Sequence, residues 1–359
     1  MRKSLAIYCI LASGPAVAHG THGPIAGEQP VEPESALEQL MEIAVPEAEA
    51  AASFTVDGAY RYIRADGYPY KAPGTFPNRG NPHAIQKKNY TLKVPANPRK
   101  ANGATSANGK VFGIALNGVV MEPGTAEFWQ NNRRSGWNYE AMGGACNLGL
   151  DKYNAHVQPD GTYHYHGIPT GLMASEGGTR TPALLGYAAD GFPIYGPYGY
   201  SNPEGASGLK KLTNSYRLKN GARPSGSSGP GGTYNGKFTQ DWAYVAGAGD
   251  LDQCNGRFAV TPEYPQGTYH YVLTDSFPFI PRCWTGSPDR SFAALKRRAD
   301  TGADGTATDH ASGQEFGQAD VIKVQHRPQP GVFGSGHRPP PPGRGQGRQR
   351  SGGGPCSGN

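Results

Sequence analysis

The chain has 359 residues with Gly 53, Pro 32 and only 17% charged residues, a balance that excludes a coiled coil and a wholly charged disordered chain. A hydrophobic fraction of 36% is enough for a folded core, while the glycine and proline content assigns part of the chain to loops and open segments. The net charge of +6 is mild for this length and does not call for nucleic acid as a partner.

Residues 1–18 read as a secretory signal peptide. Arg2 and Lys3 give a positive start, Leu5 to Ala12 is apolar, and Ala16-Val17-Ala18 fits a small-x-small cleavage site with the cut after Ala18. The apolar run is too short to span a bilayer, and no later run is long enough. The mature protein is therefore expected to be secreted or periplasmic, with no transmembrane segment. Cleavage would leave His19 as the N-terminus near His22; such an amine–imidazole pair can chelate copper, but a solvated tail is the simpler reading. Residues 19–53 hold seven Glu and no Lys or Arg and read as an acidic flexible arm.

Residues 54–321 are expected to form the folded domain. Helical periodicity is scarce there. Short runs at 90–94 and 110–116 carry β-formers, and Gly, Pro or Asn separate them. The expected fold class is mainly β with long irregular loops.

An internal repeat organises this region. Leu150-Asp151-Lys152-Tyr153-Asn154 returns as Leu251-Asp252-Gln253-Cys254-Asn255. Pro159-Asp160-Gly161-Thr162-Tyr163-His164-Tyr165 returns as Pro265-Gln266-Gly267-Thr268-Tyr269-His270-Tyr271, and Asp190-Gly191-Phe192-Pro193 as Asp275-Ser276-Phe277-Pro278. The expectation is two half-units, 150–193 and 251–278, in a sandwich-like arrangement around a pseudo-two-fold with a site between them.

The first half-unit carries the sharpest local signal. Pro159-Asp160-Gly161 predicts a three-residue hairpin turn closed by a left-handed Gly. In that register Val157 faces Tyr163, His156 faces His164 and Asn154 faces His166. Side chains alternate along a strand, so His156, His164 and His166 share one face and Tyr163 and Tyr165 the other. Three neutral imidazoles at one spot suit copper or zinc, with a fourth position left open. His270 of the second half-unit is a candidate fourth ligand. Arg257 stands where His156 stands in the first unit, so one metal site is expected, not two. The competing reading is structural: the imidazoles hydrogen-bond carbonyls or carboxylates, with Asp151, Asp190, Asp252 and Asp275 as available partners.

These motifs resemble the YHYH domain family. The resemblance rests on Tyr163-His164-Tyr165-His166, on Ala115-Leu116-Asn117-Gly118-Val119 through Phe128-Trp129, on Asp190 to Gly196, and on Leu251 to Arg257 followed by Pro281-Arg282-Cys283. It covers roughly residues 113–286. It implies an exported protein and brings no established reaction with it.

Cys254 and Cys283 bracket the second hairpin and are the first choice for a disulfide. Cys146 and Cys356 are left, with one of them open to being a free thiol. From 322 to 359 the chain carries six Lys or Arg and no acidic residue, with Pro339 to Pro342 and a Gly-rich end. This basic tail is expected to be disordered and to contact cell-envelope polymer or protein. A nucleophile elbow and a His-Glu-x-x-His motif are absent, and Gly231 to Lys237 lacks the Ser or Thr that a phosphate loop requires. Three functions compete: a transition-metal module, a metal-free envelope-binding module acting through its aromatic loops and tail, and a hydrolase using a His general base near Asp190 or Asp252.

Overall fold

Glycine, proline and asparagine interrupt every apolar run, so the strands are short and the connections long. The computed structural model describes residues 52–69, 73–293, 295 and 356. The expected signal peptide, almost all of the acidic arm, and the basic tail apart from Cys356 lie outside them.

The strands β1 (Ala52–Asp57), β2 (Tyr60–Ala65) and β3 (Tyr90–Pro95) form an antiparallel three-stranded sheet. In β3, Tyr90, Leu92 and Val94 turn inward while Thr91 and Lys93 face solvent, the alternation of a sheet with one wet face. The chain continues through β4 (Thr105–Ser106), β5 (Gly113–Ala115), β6 (Val120–Met121), β7 (Ala155–Val157) and β8 (Tyr163–Tyr165). After the short helix α1 (Thr170–Ser175) come β9 (Leu184–Ala188) and β10 (Pro193–Tyr195). Then β11 (Tyr198–Tyr200) pairs β12 (Leu209–Lys211), and β13 (Tyr216–Leu218) pairs β14 (Trp242–Tyr244). The last strands are β15 (Gly256–Ala259), β16 (Thr268–Val272) and β17 (Cys283–Trp284), the last paired with β4.

Eight of these strands build the main sheet, in the order β15-β16-β10-β9-β5-β6-β8-β7. From either edge the pairing senses read alike. An antiparallel edge hairpin comes first, then a parallel neighbour, then an antiparallel pair leading to the central β9–β5 contact. The two hairpins matched in sequence are the two edges. Their entry loops repeat as well. Asp151 N donates to Ala155 O at 2.8 Å and Asp252 N to Gly256 O at 2.9 Å. Asn154 and Asn255 both take positive φ, 62° and 54°, which asparagine tolerates best among residues with a Cβ. This order is what a pseudo-two-fold requires, and superposition of the halves is its test. One sequence match needs correction. Asp190-Gly191 forms the turn between β9 and β10, and its counterpart in the sheet is Asn117-Gly118 between β5 and β6, not Asp275-Ser276.

Directly paired residues share a face of the sheet. Tyr187, Ile114, Val120, His164 and His156 are paired in succession across it. The three-stranded sheet lies over the same face: the Phe54 ring is 5.8 Å from that of Tyr187, and the Arg61 guanidinium stands 3.8 Å from the Tyr187 ring centroid. The opposite face is packed too. There Phe112 stacks on Trp284, whose indole N–H donates to Phe112 O at 2.9 Å.

Two disulfides close the structure. Cys254 is bonded to Cys283. Cys146 is bonded to Cys356, so neither is a free thiol, and the pair packs on a small cluster of Trp137, Tyr139 and Phe238.

Candidate metal centre

The β7–β8 hairpin folds from its own turn chemistry. Gln158 N donates to Thr162 O at 2.9 Å, and Gly161 N to Gln158 O at 2.8 Å. Asp160 accepts from Thr162 N at 3.0 Å and from Thr162 Oγ1 at 2.9 Å. Gly161 has φ 83°, the left-handed position the sequence reserves for it. The register pairs His156 with His164 and Val157 with Tyr163, and His166 N donates to Asn154 O at 2.8 Å.

Three imidazoles therefore converge. His164 Nε2 and His166 Nε2 are 2.9 Å apart, and His166 Nε2 and His156 Nε2 are 3.0 Å apart. His164 and His166 are buried, and His156 is half-buried. The outer nitrogens explain the orientation. His156 Nδ1 lies 2.8 Å from Leu148 O, and His164 Nδ1 lies 3.2 Å from Thr162 O. A carbonyl only accepts, so both Nδ1 atoms carry the proton and both Nε2 atoms present lone pairs. His166 Nδ1 is buried without a hydrogen-bond partner.

His166 Nε2 lies between the other two Nε2 atoms and carries at most one N–H, so it can donate to only one of them. Burial and the neighbouring imidazoles push His156 down to about 3 and hold His166 well below the usual histidine range, which favours the neutral form that ligates a metal. A cation can be shared by all three nitrogens. Nitrogens on a tetrahedral zinc would stand roughly 3.3 Å apart, a few tenths of an ångström wider than the observed spacings. Among the described residues, these three form the group of His, Cys, Asp and Glu whose ligand atoms all lie within 4.8 Å of one another.

Residues far away in sequence support the cluster. Loop 141–149 supplies Leu148 O. Asn81 is buried; its amide donates to Val157 O at 2.8 Å and lies 3.3 Å from His156 Nδ1. Glu122 follows β6, and its N–H donates to Tyr165 O at 2.9 Å. Its carboxylate accepts from Gln158 Nε2 at 3.0 Å at each oxygen, and its charge favours protonation of His156. No local pattern marks Leu148, Asn81 or Glu122, because each reaches the hairpin through long-range packing.

Two expectations are corrected. His270 does not join the cluster. It stands on β16, separated from β8 by five interstrand steps, or about 24 Å. There it faces Arg257, its ring lies 5.0 Å from that of Tyr195, and burial pushes it down to about 4. The site thus lies at one edge of the sheet and not between the two halves. The carboxylates weighed as imidazole partners are engaged elsewhere. Tyr163 donates to Asp151 at 2.6 Å, Tyr271 to Asp190 at 2.6 Å and Tyr269 to Asp252 at 3.0 Å, while Asp275 pairs with Lys211. These tyrosines sit at odd positions along their strands and face away from the imidazoles, so among the described residues no His–Asp general-base pair forms at Asp190 or Asp252.

Neither the curated proteins nor the solved structures give a match to this chain. A family model described as YHYH protein matches residues 91–286, more than half of the chain and all of the main sheet. With Tyr163-His164-Tyr165-His166 in β8 and just beyond it, at the centre of the imidazole cluster, the chain belongs to the YHYH protein family.

Proposed function

We propose that this protein is an exported module that binds one transition-metal ion, copper or zinc, through Nε2 of His156, His164 and His166. The observation that carries the reading is the convergence of three Nε2 atoms with two of the Nδ1 atoms tied to carbonyls. Such outer hydrogen bonds fix the tautomer that a metal requires. Three protein nitrogens leave a fourth position for water or an exchangeable ligand, which suits metal handling or redox chemistry at copper. Export is supported by the signal-like residues 1–18 and by two disulfides, which persist in oxidising compartments. Among the described residues no helix is long and apolar enough to cross a membrane.

Elemental analysis of the untagged protein, purified without chelators, tests the reading. About one copper or zinc per chain is expected. It should be lost in the His164→Ala/His166→Ala variant and retained in His270→Ala. If the wild-type protein holds no metal and takes none up on titration, the three imidazoles are structural and the proposal fails.

A further inference from the structure

The two half-units come together where their second strands leave the main sheet. Beyond β8 and β16 the chain reaches Ile168 and Thr274, equivalent positions that follow the repeated tyrosines Tyr165 and Tyr271, and both line one cavity of about 390 Å³. None of the clustered histidines lines it. The volume lies at the low end of the range for small-molecule pockets.

Its wall is apolar. Met142 and Met173 present flexible thioethers, which adapt to the shape of an occupant. Phe279 adds its ring from a backbone with φ 58°, a left-handed conformation that is costly for an aromatic residue. Strained positions of this kind cluster at ligand clamps. The polar groups beside them are committed to the chain itself. Asn154 Nδ2 donates to Ile168 O at 2.8 Å, Thr170 Oγ1 to Lys152 O at 3.1 Å and Thr274 Oγ1 to Ser276 O at 2.9 Å. Among the described residues, the charged members of the lining are Lys211 on β12 and Asp275 on the loop after β16. Both are exposed, and they pair with each other at the mouth.

We infer that this cavity binds an α-amino acid with an apolar side chain, its carboxylate at Lys211, its ammonium at Asp275 and its side chain between Met142, Met173 and Phe279. A ligand with both charges on neighbouring atoms replaces one ion pair by two. A singly charged ligand would open the same pair and leave one member without its partner, and a neutral one would gain nothing from either. The apolar wall offers no counterpart to a polar side chain.

Calorimetric titration of the chelator-treated full chain with L-leucine, 3-methylbutylammonium, 4-methylpentanoate and glycine tests this. Metal-free protein is used because amino acids chelate copper and zinc, and the outcome then does not depend on the imidazole cluster. Leucine should bind. The two analogues lacking one charge should bind about fivefold more weakly, the worth of one half-exposed charge pair. Glycine, without the apolar side chain, should also bind more weakly. Asp275→Asn should weaken leucine but not 4-methylpentanoate, and Lys211→Met should weaken leucine but not 3-methylbutylammonium. Both side chains are exposed, so neither variant is expected to unfold. Absence of leucine binding, equal or tighter binding of glycine or of either singly charged analogue, or unchanged leucine binding in either variant would each overturn the proposal.

Discussion

Asp190 holds a carboxylate with almost no solvent to support its charge. It is 1% exposed, and burial raises it to about 6 even though Tyr271 Oη and Gly286 N donate to it at 2.6 and 2.9 Å. The corresponding turn on the other side of the sheet uses a neutral amide, Asn117, whose Nδ2 donates to Tyr165 Oη at 2.9 Å. The sign of the pH effect follows from the raised value. Between the ordinary aspartate range and pH 6 the folded chain holds a proton that the unfolded chain has released, so this group's contribution to stability falls as pH rises. Its cost is absent below about pH 4 and fully present above about pH 6. A shift of this size corresponds to about 2 to 3 kcal/mol. Asp190→Asn should remove that dependence. In urea denaturation at pH 4.5 and pH 7, the variant should gain on the wild type as pH rises, and parallel stability profiles would show that the buried carboxylate does not behave this way.

At the scale of elements, the β7–β8 hairpin sets the geometry of the metal centre, and its turn sets the hairpin. Gly161 has φ 83°, and a Cβ there would lie 2.5 Å from Gln86 Cγ. Gly161→Ala should therefore cost about 1 to 2 kcal/mol from the left-handed backbone alone, with more from the clash, and should weaken metal uptake because the turn fixes the register. Gly103→Ala is the control. Its Cβ would meet nothing within 4 Å, so chemical denaturation should find it neutral or slightly stabilised; equal losses in the two variants would refute the argument. The same hairpin marks how far the sequence is legible. Turn residues and alternation are local, so the register, the shared face of His156, His164 and His166, and the placement of Tyr163 and Tyr165 on the other face could be read directly. The β-rich class and the Cys254–Cys283 pair were accessible for similar reasons. The parallel β6–β8 pairing was not, and with it went Glu122. Asn81 and Leu148 arrive on loops whose approach no periodicity encodes. The fourth-ligand expectation for His270 failed because a repeat shows that two units are alike, but not whether they meet face to face or stand at opposite edges.

At the scale of the whole molecule, long loops and disulfides finish what the short strands begin. Loops reach both edges of the main sheet: Asn81 donates to Val157 O on β7 at 2.8 Å, and just past β15 Val260 N donates to Pro203 O at 2.8 Å. Such contacts occupy backbone groups that would otherwise pair with another chain. The two disulfides act at different places within this frame. Cys254–Cys283 ties the loop entering β15 to β17 across 29 residues, and its loss should lower global stability by about 3 kcal/mol. Cys146–Cys356 instead pins loop 141–149 two residues before Leu148, whose carbonyl orients His156. Glu140, at the head of the same loop, is buried against Arg282 with Nη2 to Oε2 at 2.5 Å, so the loop is held at its head as well as at Cys146. Removing Cys146–Cys356 takes away the covalent tie within the loop, leaving Asn78 Nδ2 to Gly149 O to hold its far end, and should loosen the hydrogen bond that selects the His156 tautomer. Losses of about 10- to 100-fold in metal affinity follow when such outer partners are removed. Chelator competition on Cys146→Ser/Cys356→Ser should show that loss, and Cys254→Ser/Cys283→Ser should keep its metal while unfolding at lower urea. Equal metal loss in both variants would mean that neither disulfide acts on the site through loop 141–149 and that both act only through overall stability.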